Sequence, residues 1–120
     1  MIQKLLSTNS KINSVKNARL KHERSTISQT ASRDLAEIVD YFANLNIEAG
    51  ERFIQEFEKK CKNLVNFPNM GRSYEDVASF LRGIPVDGHI ILYQVIDDEI
   101  TIVRVVSGKR DLKSLFSDSE

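Results

Sequence analysis

The sequence predicts an α+β fold, β-α-α-β-β-β, with an antiparallel sheet packed against a helical hairpin and a short C-terminal helix. Three observations predict it. Apolar residues recur at helical spacing from Leu35 to Leu64. After Pro68 the period changes to runs rich in β-branched residues. An acidic pair, Asp97-Asp98, divides two of those runs and reads as a hairpin turn.

The elements follow in order. Ser25–Gln29 is a short stretch that extends a sheet. Leu35, Ile38, Val39, Phe42 and Leu45 lie on one face of a helix. Thr30 or Ser32 is the expected N-cap, with Asp34 in the first turn near the positive helix end. Asn44 and Asn46 interrupt the pattern, and Asn46 caps a second helix. There Ala49, Phe53, Phe57, Cys61 and Leu64 recur at steps of four and three. Pro68 disfavours helical geometry in the residue before it, so this helix stops near Asn66–Phe67. Two helices joined by so short a turn form an antiparallel hairpin. Asn69–Ser79 reads as a loop. Phe80–Pro85 is a short strand whose proline marks an edge or an end. His89–Ile96 and Glu99–Val106 are the hairpin strands, and Asp111–Phe116 is a short terminal helix. Ser117–Glu120 reads as a frayed end.

The chain has 120 residues, 41% apolar and 28% charged. That is one domain, with enough chain for a core that needs no metal or disulfide. No apolar run approaches the ~20 residues of a membrane helix, which excludes a membrane span of that kind. One cysteine makes neither an internal disulfide nor a Cys-rich zinc site. A reducing, cytoplasmic setting fits this. The formal net charge is zero, but it is unevenly spread. Residues 1–24 hold six cations against Glu23, a net +5, and residues 25–120 hold eleven cations and sixteen anions, a net −5. Residues 1–24 keep no steady period and read as a basic, flexible N-terminal tail. Residues 25–120 read as the folded domain.

Few residues have the pattern of a reactive centre. There is no Gly-rich phosphate loop, no HExxH helix and no GxSxG turn, so no metal or cofactor is expected. His22 lies in the tail and His89 heads an apolar strand. Cys61 falls on the apolar stripe of the second helix and reads as core. The helix carboxylates mostly occupy polar faces. The cations of the folded part are more informative. Arg72 follows Gly71, Arg82 lies in a strand, Arg104 interrupts an apolar strand, and Lys109 and Arg110 follow that strand. If Val103 and Val105 point inward, Arg104 points away from the core. Arg82, Arg104, Lys109 and Arg110 then gather on the open sheet face as an anion-binding patch. Simple solubility and local ion pairs such as Arg110–Asp111 or Arg104–Asp97 are the alternative.

Several ordered pieces together resemble one family. They are Ser28-x-x-Ala31-x-x-Asp34-Leu35-x-x-Ile38-x-x-Tyr41, Ala49-x-x-Phe53, and Leu64-x-x-Phe67-Pro68-x-x-Gly71-Arg72. Further along come Leu81-Arg82-x-x-Pro85-Val86, Ile91-x-Tyr93, Ile102-x-Arg104-Val105 and Gly108-x-Arg110-Asp111-x-x-x-Leu115-Phe116. This set resembles the RelE/ParE toxins of bacterial type II toxin–antitoxin systems, over about Ser25–Phe116. The resemblance implies the same β-α-α-β-β-β fold. It also implies a cognate antitoxin, whose apolar and acidic segment covers the sheet face and helix groove.

The long helical hairpin and the Gly-x-Arg-Asp-Leu segment are closer to the ParE side, whose members poison DNA gyrase. The rival is a RelE-like endonuclease that cuts messenger RNA on the ribosome. An inactive, antitoxin-binding relative is a third reading. Many members carry a His before the Gly of the Gly-x-Arg-Asp segment, where this chain has Ser107. No Tyr or His follows Asp111 to match the C-terminal residue of RelE-like cleavage. Cleavage beside a ribose needs a base, an acid and cations on the phosphate. Tyr93 is the candidate for that nuclease role. Arg72, Arg82, Arg104, Lys109 and Arg110 are the candidate target surface.

A tail of this composition adds little to the core. A protein beginning near Arg24 should melt within a few degrees of the full chain in calorimetry. A large loss of thermal stability would show that the segment packs.

Overall fold

A computed structural model describes residues 25–117. The basic segment 1–24 and residues 118–120 lie outside the described residues. The order is β1 (Ser25–Ile27), α1 (Gln29–Leu45), α2 (Ile47–Asn66), β2 (Arg72–Ser73), β3 (Leu81–Val86), β4 (His89–Ile96), β5 (Glu99–Ser107) and α3 (Leu112–Ser117). The five strands form one sheet in the order β1-β5-β4-β3-β2. The α+β architecture is the one the sequence predicts. Among the described residues, no helix is long and apolar enough to cross a membrane.

The helical hairpin is set by its caps. Ser28, rather than Thr30 or Ser32, is the N-cap of α1, and its hydroxyl accepts from the Ala31 N–H at 3.0 Å. The reason lies outside the helix. Ser28 also donates its N–H to Ile102 O at 2.9 Å and its hydroxyl to Val103 O at 3.1 Å. Only this serine satisfies both the helix start and the strand beside it. Asn46 ends α1 and begins α2. It is extended, at φ −164° and ψ 147°, and donates its N–H to Phe42 O, while its Oδ1 accepts from Ala49 N at 2.8 Å. Gly50 lets the helices approach closely, since a Cβ there would meet Val39 O at 3.2 Å. α2 ends at Asn66, ahead of Pro68.

The chain crosses to the far sheet edge through α2 and then walks back. β2 is a two-residue strand inside the expected loop, paired with Gly83 and Arg82 of β3. Antiparallel pairs β3–β4 and β4–β5 follow. Two tight turns carry them, Asp87-Gly88 at φ 49° and 80° and Asp97-Asp98 at φ 52° and 66°. Left-handed geometry at both central residues matches the twist of the strands. The walk returns β5 to the side of β1, so that pair alone is parallel, from Ser25↔Ile100 to Ile27↔Ile102.

The sheet buries both faces. The main core joins Leu35, Val39, Phe53, Ile54, Phe57, Cys61 and Leu64 of the hairpin to Ile84, Ile91, Tyr93, Ile102 and Val105 of the sheet. On the other face Leu81, Leu92 and Val106 pack with Tyr74, Val77, Leu112, Leu115 and Phe116. Phe53 is fully buried and Phe57 nearly so. Phe→Ala at either position should cost about 3–5 kcal/mol in chemical denaturation. A loss well under ~1 kcal/mol would contradict this packing.

Candidate functional site

Arg104 starts on the sheet face away from the helices, opposite Leu92, but its side chain does not stay free there. Leu92 pairs with Arg104 and Tyr93 with Ile102, so Val103 is an extra residue in β5. The extra residue returns Val105 to the helix face with Ile102 and leaves Arg104 on Leu92's face, from which its side chain passes the outer edge of β5. Arg104 turns toward α1, where its Nε and Nη2 donate to Asp34 Oδ2 and Oδ1 at 2.8 and 3.1 Å. The Val105 N–H donates to the same Oδ2 at 2.9 Å. Asp34 lies beyond the first turn, because α1 begins at Gln29. It faces the sheet and is 9% exposed. The bond to Asp34 raises the Arg104 pKa above its usual value. Burial opposes that rise, and the charges of Asp34 and Glu37 add to it. The pairing had a legible signal: Asp34 interrupts the apolar helix stripe as Arg104 interrupts the apolar strand. Ser28, the second α1 anchor to β5, had no comparable signal.

A groove of about 480 Å³ opens beside this clamp, between α1 and the end of β5. Ile38 and Tyr41 form one wall, and Arg104, Val105, Ser107 and Arg110 form the other. Tyr41 is 62% exposed. Of the expected cations, the structure brings Arg104 and Arg110 together here, with exposed Lys109 next to Arg110 in the chain.

Arg82 and Arg72 lie elsewhere. Arg82 pairs across strands with Tyr93 and shares its face, the helix face of the sheet. Its Nη1 donates to Asn69 O at 3.2 Å and Gly71 O at 2.7 Å. Arg72 lies over the Tyr74 ring, 5.1 Å from its centre. An open-face cluster of Arg82, Arg104, Lys109 and Arg110 therefore does not form.

Tyr93 is completely buried. Its hydroxyl accepts from the Gly71 N–H at 3.0 Å and donates to Pro68 O at 2.8 Å. Burial raises its pKa above the usual tyrosine value, against the opposing bond from Gly71 and the charge of Arg82. Gly71 must be glycine, since a Cβ there would lie 2.5 Å from the Tyr93 oxygen. His89 stands edge-on to the Phe42 and Phe53 rings at 6.0 and 5.5 Å. Cys61 lies in the core, and His22 is outside the described residues. Among the described residues, no three or more His, Cys, Asp or Glu side chains converge as a metal site would need.

A helical hairpin stapled to a mixed sheet by an Asp–Arg clamp defines a class of small α+β proteins, here with a groove lined by charges of both signs at the sheet edge. The profile of the ParE toxin of type II toxin–antitoxin systems, parDE, matches residues 26–112, and the chain belongs to that toxin family. Among solved structures it is similar to a chain described as "Chromosomal ParDE TA system from P. aeruginosa". The identity is 21%, the TM-score 0.60, and the match covers 69% of this chain and 92% of the other. At that identity the likeness concerns the fold. No curated protein matches the chain by sequence.

Two predictions concern the anchors. Asp34→Ala strands the Val105 N–H and unpairs Arg104, so it should cost at least about 1.5–3 kcal/mol in urea denaturation. An unchanged midpoint would show that the clamp is idle. Tyr93→Phe leaves the Gly71 N–H unpaired and should cost about 1–3 kcal/mol. The raised Tyr93 pKa has a pH consequence. The neutral phenol is favoured in the folded chain, so its contribution is whole below about pH 10, the unfolded tyrosine value, and fades as pH rises past it. Alkaline unfolding followed in wild type and Tyr93→Phe should show a shallower pH dependence in the variant. Parallel curves would rule this contribution out.

Proposed function

We propose that this toxin acts by binding a protein target, the complex of DNA gyrase with DNA, and that a cognate antitoxin neutralises it. The observation that carries the reading is the state of the Tyr93 hydroxyl. The RelE-like alternative relies on that hydroxyl as base or acid toward a ribose or a leaving oxygen. Here it is buried, with its donor and an acceptor position both used to hold the Pro68–Gly71 loop. The cations open to a partner are a different set. Arg72, Lys109 and Arg110 are exposed, while Arg82 and Arg104 present partly covered guanidinium groups. Charge-assisted bonds from such groups suit recognition without covalent chemistry. An antitoxin with an apolar and acidic segment neutralises the toxin by covering the same cations.

The test is controlled expression with two readouts, supercoiling by purified gyrase and messenger RNA integrity on ribosomes. Inhibited supercoiling with intact messenger is expected. Tyr93→Phe should keep its toxicity per folded molecule, since a binder does not need the hydroxyl. Arg110→Ala should weaken target binding roughly 10–150-fold, the equivalent of about 1.5–3 kcal/mol, with the fold intact. Ribosome-dependent messenger cleavage that Tyr93→Phe abolishes would overturn the reading in favour of the nuclease.

A further inference from the structure

Phe80 is the one large apolar residue among the described residues that joins a left-handed backbone to an exposed ring. Its φ is 62° and it is 58% exposed. It holds the third position of the turn Ala78–Leu81, which the Leu81 N–H closes onto Ala78 O at 3.2 Å. Glycine takes a positive φ there freely, whereas a bulky side chain crowds the backbone. The other left-handed residues besides glycine are aspartates, which tolerate the geometry. The fold gains no packing in return, since the Phe80 ring belongs to neither core cluster. A lone exposed apolar side chain is ordinary. One held in a strained backbone is the kind of outlier that marks functional surfaces.

The surrounding loop holds that strain in place. The Tyr74 N–H donates to Leu81 O at 2.8 Å, and the Val77 N–H to Tyr74 O at 2.8 Å. Gln94 reaches across from β4, its Nε2 donating to Ser79 O at 2.9 Å. Val77 and Ala78 pack on the second core cluster. The ring is thus presented on a fixed mount, so little conformational entropy remains to be lost on docking. Leu81 pairs with Gln94, which places Phe80 at the sheet end that carries the Asp97-Asp98 turn. Ile96, 48% exposed, lies at the same end. Five exposed carboxylates flank the two apolar side chains, Glu75 and Asp76 on the Phe80 loop and Asp97, Asp98 and Glu99 beyond Ile96. Arg72, the cation that precedes this loop, is stacked over the Tyr74 ring.

We propose that Phe80 is the anchor by which this toxin docks on its protein target, entering an apolar pocket with a cationic rim. An aromatic side chain inside a charged rim is the usual anatomy of a binding hot spot. The five carboxylates would repel nucleic-acid phosphates, so this end of the sheet meets protein and not DNA. They would also steer it toward a basic surface. That the target is gyrase rests on the function proposed above. The anchoring role of Phe80 does not.

The test compares growth arrest, inhibition of purified gyrase and the denaturation midpoint in the full chain and its variants. Phe80→Gly should weaken inhibition and growth arrest at least about tenfold per folded molecule. Its midpoint should stay level or rise, because glycine relieves the backbone. A lowered midpoint would assign the ring to the fold and overturn the proposal. Glu75→Lys combined with Asp76→Lys should weaken inhibition severalfold, most at low salt, and undiminished inhibition would overturn the cationic rim. Phe80→Trp gives the chain its one tryptophan. In the free chain its emission should be that of an indole in water, open to acrylamide quenching. A shielded indole there would mean that residues 1–24 or a second copy occupies the ring, and would overturn the proposal. Gyrase inhibition that Phe80→Gly retains overturns the anchor alone. Growth arrest without gyrase inhibition, lost in Phe80→Gly, overturns the gyrase reading alone. A chain that neither arrests growth nor inhibits gyrase overturns both.

Discussion

Asp34 sits on the face of α1 that packs on the sheet, one helical turn from Ala31 and Ile38 and beside Leu35. A carboxylate so placed is costly unless its oxygens are bonded. Two Arg104 donors and the Val105 N–H bond them. The arrangement works in both directions. β1 stops at Ile27, so beyond Ile102 the outer edge of β5 has no strand beside it among the described residues. The bulge at Val103 presents a carbonyl to Ser28, and two residues later Val105 presents its N–H to Asp34. Two side chains of one helix thus continue, for two bonds, the ladder that β1 began. They fix the height and rotation of α1 over the sheet, and with it the hairpin that carries the main core.

A second polar anchor holds the opposite side of the hairpin. After Pro68 the chain must leave α2 and reach the far sheet edge within a few residues. The Tyr93 hydroxyl and the Arg82 guanidinium bond the backbone of Pro68, Asn69 and Gly71. A tyrosine buried in a core usually needs a partner for its hydroxyl, and here the partner is the loop itself. Arg82 stays half-buried on the same face and donates to the Asn69 and Gly71 carbonyls. Both groups look reactive in isolation. In the fold they are fasteners.

This division has a functional meaning. Charged residues in a small toxin serve either the fold or the partner, and those tied to the fold arrive at the surface already oriented. Arg104 is the case in between. Asp34 holds it rigid, so little side-chain entropy remains to be lost when a partner reaches its free edge. Arg110 beside it is exposed.

Local patterning alone determined the element order, the helical hairpin, the Asn46 joint, the stop before Pro68, the Asp97-Asp98 turn and the burial of Phe53 and Phe57. Each depends on interactions within a few residues, which periodicity, caps and turn residues report directly. The family resemblance came from the same ordered pieces. What only the tertiary structure decided involves partners about seventy residues apart or a shift of one residue. Ser28 displaced Thr30 and Ser32 as the cap because β5 demanded a donor there. Val103, extra by one residue, put Arg104 opposite Leu92 instead of on the helix face, and the edge position of β5 lets its side chain reach Asp34. The two-residue β2 is too short to carry a period, and the parallel β1–β5 pair exists because the meander returns to the edge where it began. A side chain's face depends on register, and register is set by the neighbouring strand.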